Sequence, residues 1–205
     1  MGNRSVSDWD VAEKYALSAI EQAEQLDDLS LLSSALEVLE LTYILRVLYE
    51  KMLAVTKRRL ALVQEPAFDD PREKARVFNA YGRSLIRVGQ YDEAIDYFLE
   101  AEKLSENIQD ISQQVFAMRG QSEIWYHLDQ WDNVLGNEVK WRGLQDQFPN
   151  FMERVGPICF LIALSACVRG RRGELHEAKQ LQRESQQIMV AAEGGIERWD
   201  RYNYF

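Results

Sequence analysis

The sequence predicts an all-α fold in which antiparallel helix pairs stack in a row. Two markers recur along its 205 residues and keep the same interval. An aromatic residue followed by an acid recurs at steps of 40, 42 and 40 residues, and an Asp or Asn recurs at steps of 42, 40 and 40. No segment shows the sustained two-residue alternation of a β-strand. Two markers with one period indicate a repeat array whose units bury one another's apolar faces.

The aromatic marker begins the second helix of each predicted pair. Its four copies are Trp9-Asp10, Tyr49-Glu50, Tyr91-Asp92 and Trp131-Asp132. A fifth copy has Leu175 in the aromatic position and Ala178 in the position of Ala94. Because the aromatic residues repeat with the array, we expect them to pack the helix pairs as scaffold. The predicted second helices span residues 8–25, 49–64, 91–106, 131–147 and 174–192.

The second marker caps the first helix of each pair. Asp28, Asp70, Asp110 and Asn150 each precede an apolar helical stretch, and their side chains suit an N-cap. The predicted first helices span residues 29–46, 71–88, 111–128 and 151–171. The distance from cap to the next aromatic position is 21 residues in three pairs and 25 in the last. The extra turn leaves two alignments for the last pair, one from its cap and one from its C-terminal end.

Residues 75–108 carry a family resemblance. They resemble the tetratricopeptide repeat at Phe78, Tyr81, Gly82, Leu85, Gly89, Tyr91, Ala94, Phe98, Ala101 and Leu104. In such repeats small residues let two helices approach closely, and the following aromatic and small positions fill the joint with the next unit. The resemblance implies a right-handed α-solenoid of about four and a half helix pairs, or about nine helices. We expect this array to span residues 1–193 and an aromatic tail or cap to follow at 194–205.

The repeat is longer than the roughly 34 residues of a standard tetratricopeptide unit. A period of 40–42 residues is similar to that of bacterial signalling ATPases and regulators such as the maltose-regulon activator family. Outside residues 75–108 the pattern weakens, because Ser122 stands in the position of Gly82 and Trp141 in the position of Ala101. A Trp in a small-residue position predicts a local change of packing.

Composition and motifs exclude several classes of function. With 33 acidic and 24 basic residues, a net charge of −9 disfavours binding to nucleic acid or an anionic membrane, although basic clusters occur at 57–59 and 169–172. No apolar run approaches the ~20 residues of a membrane span. Cys159 and Cys167 lie about 12 Å apart on one predicted helix, too far for a disulfide, so we expect a reducing, cytoplasmic compartment.

No enzyme chemistry is expected. The two histidines, His127 and His176, lie in different units and lack partners at metal-ligand spacing, so we predict no metal and no cofactor. The sequence also lacks a phosphate-binding loop, a nucleophile elbow and a dinucleotide fingerprint.

The candidate binding site is the concave groove that first helices line in tetratricopeptide arrays. The predicted groove residues are Arg76, Asn79, Arg83, Arg87, Phe116, Arg119, Glu123, Tyr126, His127 and Phe160. The neighbouring units add Ser34, Glu37, Leu41, Ile44 and Leu45 before them and Ala163, Cys167, Gly170 and Arg171 after them. Arginine forks match carboxylates, and aromatic side chains can anchor a partner. The alternative is that these arginines pair with Glu37, Glu123 and neighbouring acids and are structural.

Three functions follow as hypotheses. The first is a protein- or peptide-binding module within a larger bacterial signalling or regulatory protein, which binds an acidic or carboxylate-bearing segment in this groove. The second, implied by the maltose-activator resemblance, is a small-molecule sensor with a pocket at Arg83, Arg119, Glu123, Tyr126 and His127. The third is a self-assembly scaffold that dimerises through terminal helices, because the array starts with a second helix, that of Trp9. Its aromatic contacts would come from Trp9, Trp199, Tyr202, Tyr204 and Phe205.

Overall fold

A computed structural model of the chain describes residues 6–148 and 156–193. These residues form helices and turns without a strand, which confirms the predicted all-α fold. The helices are α1 Val6–Gln25, α2 Leu29–Leu45, α3 Tyr49–Gln64, α4 Pro71–Arg87, α5 Tyr91–Asn107, α6 Ile111–His127, α7 Trp131–Gln147, α8 Gly156–Arg171 and α9 Leu175–Glu193. No helix within the two described ranges is both long and apolar enough to cross a membrane.

Three of the four predicted N-caps are observed. The carboxylates of Asp28, Asp70 and Asp110 accept hydrogen bonds from backbone N–H groups in the first turns of α2, α4 and α6. Such bonds satisfy donors that have no partner within the helix. Asn150, the fourth predicted cap, lies outside the described residues.

One backbone motif closes six of the helix–helix turns. In each, a residue with positive φ is followed by an N–H that donates to the carbonyl five residues earlier, which is the Schellman arrangement. The residues with positive φ are Asp27, Val47, Gly89, Gln109, Asp129 and Gly173. At these six turns the helices end and begin within one residue of the predicted positions.

The chain divides into two compact units, residues 1–97 and 98–205, and the boundary falls within α5. In the N-terminal unit α1 packs on α2, α2 on α3 and α3 on α4. Helices α1, α2 and α3 share a core that includes Leu36, Leu39, Tyr43, Met52 and Val55. In the C-terminal unit α8 packs on α6, α7 and α9, around a core that includes Val115, Met118, Trp141, Ile158, Leu161, Ile162 and Leu181.

The predicted scaffold residues are buried to different degrees. Gly82, Ala94, Phe98 and Ala101 are buried, whereas Trp9, Tyr49, Tyr91, Trp131 and Ala178 are partly buried. The Phe98 ring lies directly against Gly120, where a β-carbon would overlap it. Trp141 is fully buried and belongs to the core of the C-terminal unit, so a large ring fills the position that Ala101 holds one repeat earlier. One array over residues 1–193 stays a prediction, and residues 194–205 lie outside the described part.

Candidate functional site

The predicted groove residues fall on α2 and α4 in the N-terminal unit and on α6 and α8 in the C-terminal unit. On α4, Arg76 and Arg87 are exposed, Arg83 is half-buried and Asn79 is buried. The groove residues therefore form two groups, one in each unit.

Two of the α4 arginines are paired with carboxylates. Arg83 Nη2 donates to Glu40 Oε1 at 2.6 Å. Arg76 Nη1 lies 3.2 Å from Glu73 Oε2 and 3.6 Å from Glu37 Oε2. Internal pairing, the alternative interpretation of the groove arginines, therefore applies to Arg76 and Arg83.

These pairs belong to one ion-pair cluster, formed by Arg59, Arg76, Arg83, Glu37, Glu40 and Glu73. Its centre is Arg59 on α3, whose side chain is 1% exposed. Its Nη1 donates to Glu40 Oε2 at 2.8 Å and its Nη2 to Glu73 Oε1 at 2.7 Å, while its Nε donates to Ser33 Oγ at 3.3 Å. Burial lowers the pKa of Arg59, but the nearby carboxylates, Glu40 first, outweigh burial and leave that pKa above its usual range. The guanidinium is therefore charged and neutralised in place.

Sequence reasoning placed Arg59 in a basic cluster and missed its role. A signal was present, because Arg59 and Glu40 occupy the positions that Ala101 and Gly82 hold 42 residues later. Opposite charges at two small-residue positions of one helix pair are typical of a buried ion pair, since a lone charge there would be strongly destabilising.

Within this cluster Arg76 and Arg83 lie nearer the surface than Glu40 and Glu73. The side chains of Arg76 and Arg83 are 44% and 35% exposed, whereas those of Glu40 and Glu73 are 1% and 10% exposed. Arg83 Nε finds no hydrogen-bond partner among the described residues. Glu37, which also contacts Arg76, is 32% exposed. The surface beside α4 therefore presents two guanidinium groups and the Glu37 carboxylate, whereas Glu40 and Glu73 lie beneath.

Helix α2, next to these arginines, buries Leu36, Leu39 and Tyr43 in the core, but it also buries polar side chains and exposes apolar ones. Its buried face includes Ser33, Glu40 and Thr42, at 0%, 1% and 4% exposure. Its outer face carries a row that we call the α2 stripe, of which the first four members are exposed and the last is half-buried: Leu31, Ser34, Val38, Leu41 and Leu45. Leu31, Val38 and Leu41 are 44%, 52% and 37% exposed. Contiguous exposed apolar side chains mark interaction surfaces more often than isolated ones do.

In the C-terminal unit the predicted residues are joined by arginine–aromatic contacts. Arg119 Cζ on α6 lies 4.6 Å from the ring centroid of Phe160 on α8. Arg171 Cζ lies 5.0 Å from the Tyr126 ring and 5.7 Å from the Trp131 ring. Such contacts are weakly attractive where they are exposed to water. They agree with alignment of the last repeat from its C-terminal end, which places Phe160 and Arg171 on the groove face.

The other predicted groove residues on α6 differ in burial. Glu123 is buried, Phe116 is partly buried and His127 is exposed. The basic cluster at 169–172 is engaged with acids, because Arg169 contacts Glu138 and Glu174 while Arg172 contacts Asp132. These pairs connect α8 and the turn after it with α7.

Two shallow depressions lie in the N-terminal unit, and neither is lined by a predicted groove residue. One runs along α1 beside Glu13, Leu17 and Glu21. The other lies between the turns at residues 26–30 and 67–70. Over residues 6–148 and 156–193 no group of three or more His, Cys, Asp or Glu side chains could hold a metal ion. Of the predicted self-association residues, Trp9 is partly buried on α1, and those at 199–205 lie outside the described ranges.

No protein-family model matches the sequence, and no curated protein matches it either. Among solved structures the chain is similar to BtubC (BKLC) from P. vanneervenii, with a TM-score of 0.62 and 13% sequence identity. The similarity covers 91% of this chain and 92% of BtubC. At this identity it shows a shared helical-repeat-like fold.

Proposed function

We propose that the chain is a non-catalytic, tetratricopeptide-type module that binds a carboxylate-bearing protein or peptide segment. The proposal includes a place within a larger bacterial signalling or regulatory protein. The burial of Ala94, Phe98 and Ala101 supports the tetratricopeptide assignment, because these are the joint positions of that repeat. One observation carries the binding function: Arg76 and Arg83 present guanidinium groups at the surface, above buried carboxylates.

An incoming carboxylate can bind these guanidiniums without breaking the buried cluster. A guanidinium has five N–H donors, and Arg83 uses Nη2 on Glu40. If Arg83 turns toward a ligand, Glu40 keeps its 2.8 Å hydrogen bond from Arg59. Binding therefore avoids the large free-energy cost of leaving a buried carboxylate without a partner. Charge-assisted bonds from arginine also favour carboxylates over neutral amides.

The test uses fluorescein-labelled peptide pools that differ only in having Asp and Glu or Asn and Gln at the same positions. The acidic pool should bind more tightly by anisotropy, and the double variant Arg76→Gln, Arg83→Gln should lose about tenfold in affinity. Arg58→Gln is the matched control, because Arg58 also pairs with a carboxylate, that of Glu24, but on α3. Equal binding of both pools, or an equal loss in the control, would contradict the proposal.

Self-assembly is a second candidate, and the outer face of α1 favours it. Val11 and Tyr15 lie one turn apart and are 50% and 72% exposed. Light scattering over a hundredfold concentration range should then show a mass that rises with concentration. The double variant Val11→Lys, Tyr15→Lys should abolish this rise, and a wild-type chain that stays monomeric throughout would exclude the candidate.

A further inference from the structure

The α2 stripe has the spacing that a docked helix requires. Its residues follow one another at intervals of three and four from Leu31 to Leu45. At 1.5 Å per residue the stripe is about 21 Å long, or about four helical turns. Helix-in-groove recognition uses anchors at this same spacing on the bound helix. An apolar row of matching length can therefore bury a stripe of equal period on a partner.

The stripe favours a helical segment over an extended one. An extended segment must find partners for its own backbone N–H and C=O groups. Four of the five stripe side chains are aliphatic, and the hydroxyl of the fifth, Ser34, donates to Ser30 O at 3.0 Å. A helix satisfies its backbone groups internally, so it can place an apolar face on this surface without leaving them unpaired.

The charges beside the stripe set the chemistry of the partner's flank. Ion pairs join α4 to α2 through Arg83 to Glu40 and Arg76 to Glu37, so the exposed guanidiniums border the apolar row. Glu40 is 1% exposed, so a carboxylate on a docked helix meets the guanidinium of Arg83 before it meets that counterion. Arg76 is 44% exposed and Glu37 beside it 32%, so this pair remains accessible as well. Lysines at the same place would meet like charge, which is unfavourable in a partly desolvated contact.

From this surface, and resting on the proposed function, we infer that the α2 stripe docks an amphipathic helix of a partner protein. That helix has apolar residues at intervals of three and four and carboxylates along the flank that faces Arg76 and Arg83. The inference specifies the conformation and the charge pattern of the bound segment, whereas the proposed function requires only that it carries carboxylates.

The test selects from a displayed library of helix-forming peptides of about 18 residues, roughly 27 Å long as helices. Apolar positions are randomised, and flank positions are randomised among Glu, Gln and Lys. Selection against the full chain should enrich apolar residues at three-four spacing with Glu on one flank. Val38→Lys with Leu41→Lys should weaken the enriched peptides about tenfold or more. Val139→Lys is the control, because Val139 is 72% exposed on α7. Circular dichroism verifies that each variant is folded.

The outcomes separate the inference from the proposed function. Acidic peptides that depend on Arg76 and Arg83 but not on Val38 and Leu41 would overturn the inference and keep the proposed function. Peptides that depend on the stripe but show no preference for Glu would overturn the charge pattern and therefore the inference. Absence of any peptide sensitive to either pair of substitutions would overturn both. A wild-type dimer that the stripe variant dissociates would identify a second copy of this chain as the occupant, which also overturns the inference.

Discussion

At the residue scale, Val47 holds a backbone conformation that β-branched residues rarely adopt. Its φ is 60° in the turn between α2 and α3, and its side chain is 63% exposed. The left-handed conformation costs an ordinary residue roughly 1–2 kcal/mol, whereas glycine adopts it freely but loses more chain entropy on folding. Val47→Gly should therefore raise the free energy of unfolding by about 0.5–1 kcal/mol. Urea denaturation measures this free energy. The control Val139→Gly within α7 should lower it by about 0.3–0.5 kcal/mol, the difference in helix propensity between Val and Gly.

At Gly120, by contrast, glycine is the favoured residue, because a larger side chain would not fit. Gly120→Ala gains up to about 1 kcal/mol of helix propensity, but its methyl group would overlap the ring of Phe98, which is 2% exposed. Because a buried ring cannot move away freely, we expect a net loss of about 1–3 kcal/mol in the free energy of unfolding. A methyl group at Gly136 on α7 would meet no other atom within 4 Å, so Gly136→Ala should be stabilising. Thermal denaturation compares the two, and stabilisation by both would contradict the packing at Phe98.

Ionisation of the Tyr43 hydroxyl should destabilise the fold in alkali. Burial and the hydrogen bond that it donates to Glu13 at 2.9 Å raise its pKa from 10.0 to about 12. Because the folded state holds this proton more tightly, its contribution is present below pH 10 and is lost as the pH rises toward 12. Urea denaturation at several pH values in this range should show the decline, and Tyr43→Phe should reduce its slope. Tyr15→Phe, at a 72% exposed position, should leave the slope unchanged.

At the element scale, the buried ion pair between α2 and α3 should behave as a unit. Arg59→Met leaves Glu40 buried with Arg83 alone, and we expect a loss of about 3–5 kcal/mol in the free energy of unfolding. The double variant Arg59→Met, Glu40→Met should lose less than Arg59→Met, because it removes both charges. Arg58→Gln breaks only an exposed pair with Glu24 and should cost less than about 1 kcal/mol. Losses that simply add in the double variant would show that Arg59 and Glu40 act independently.

Helix positions were predictable from the sequence because caps and turns are local signals. Asp28, Asp70 and Asp110 each bond within three residues of themselves. The ion-pair cluster was not predictable in this way, since Arg83 and Glu40 are 43 residues apart and meet only through the packing of their helices. Exposure of Val38 was missed as well: the repeat alignment pairs it with Ala80, which is 4% exposed.

At the scale of the whole molecule, the sequence defined a repeat but left its last copy with two alignments. The contact between Arg119 and Phe160 fits the alignment from the C-terminal end. Neither this contact nor the cap spacing distinguishes the two alignments, because one extra turn preserves the face of a helix. The charge of the surface was not predictable from composition either. A net charge of −9 predicts an acidic surface, but guanidiniums border the α2 stripe because Glu40 is buried and Arg83 is not.

The whole-molecule prediction concerns how far a local defect spreads. Leu36 belongs to the core of the N-terminal unit and Leu161 to that of the C-terminal unit, and both are at most 2% exposed. Truncation of either to Ala should cost about 2–5 kcal/mol. In a repeat protein stability is a sum of local terms, so amide exchange should accelerate mainly in the helices of the truncated unit. Leu36→Ala should accelerate amide exchange in α1–α3, and Leu161→Ala should accelerate it in α6–α9. Leu175→Ala, at a 60% exposed position, should leave exchange in both units unchanged. Uniform acceleration along the chain in both variants would instead mean that the two units unfold together, as a single cooperative domain does.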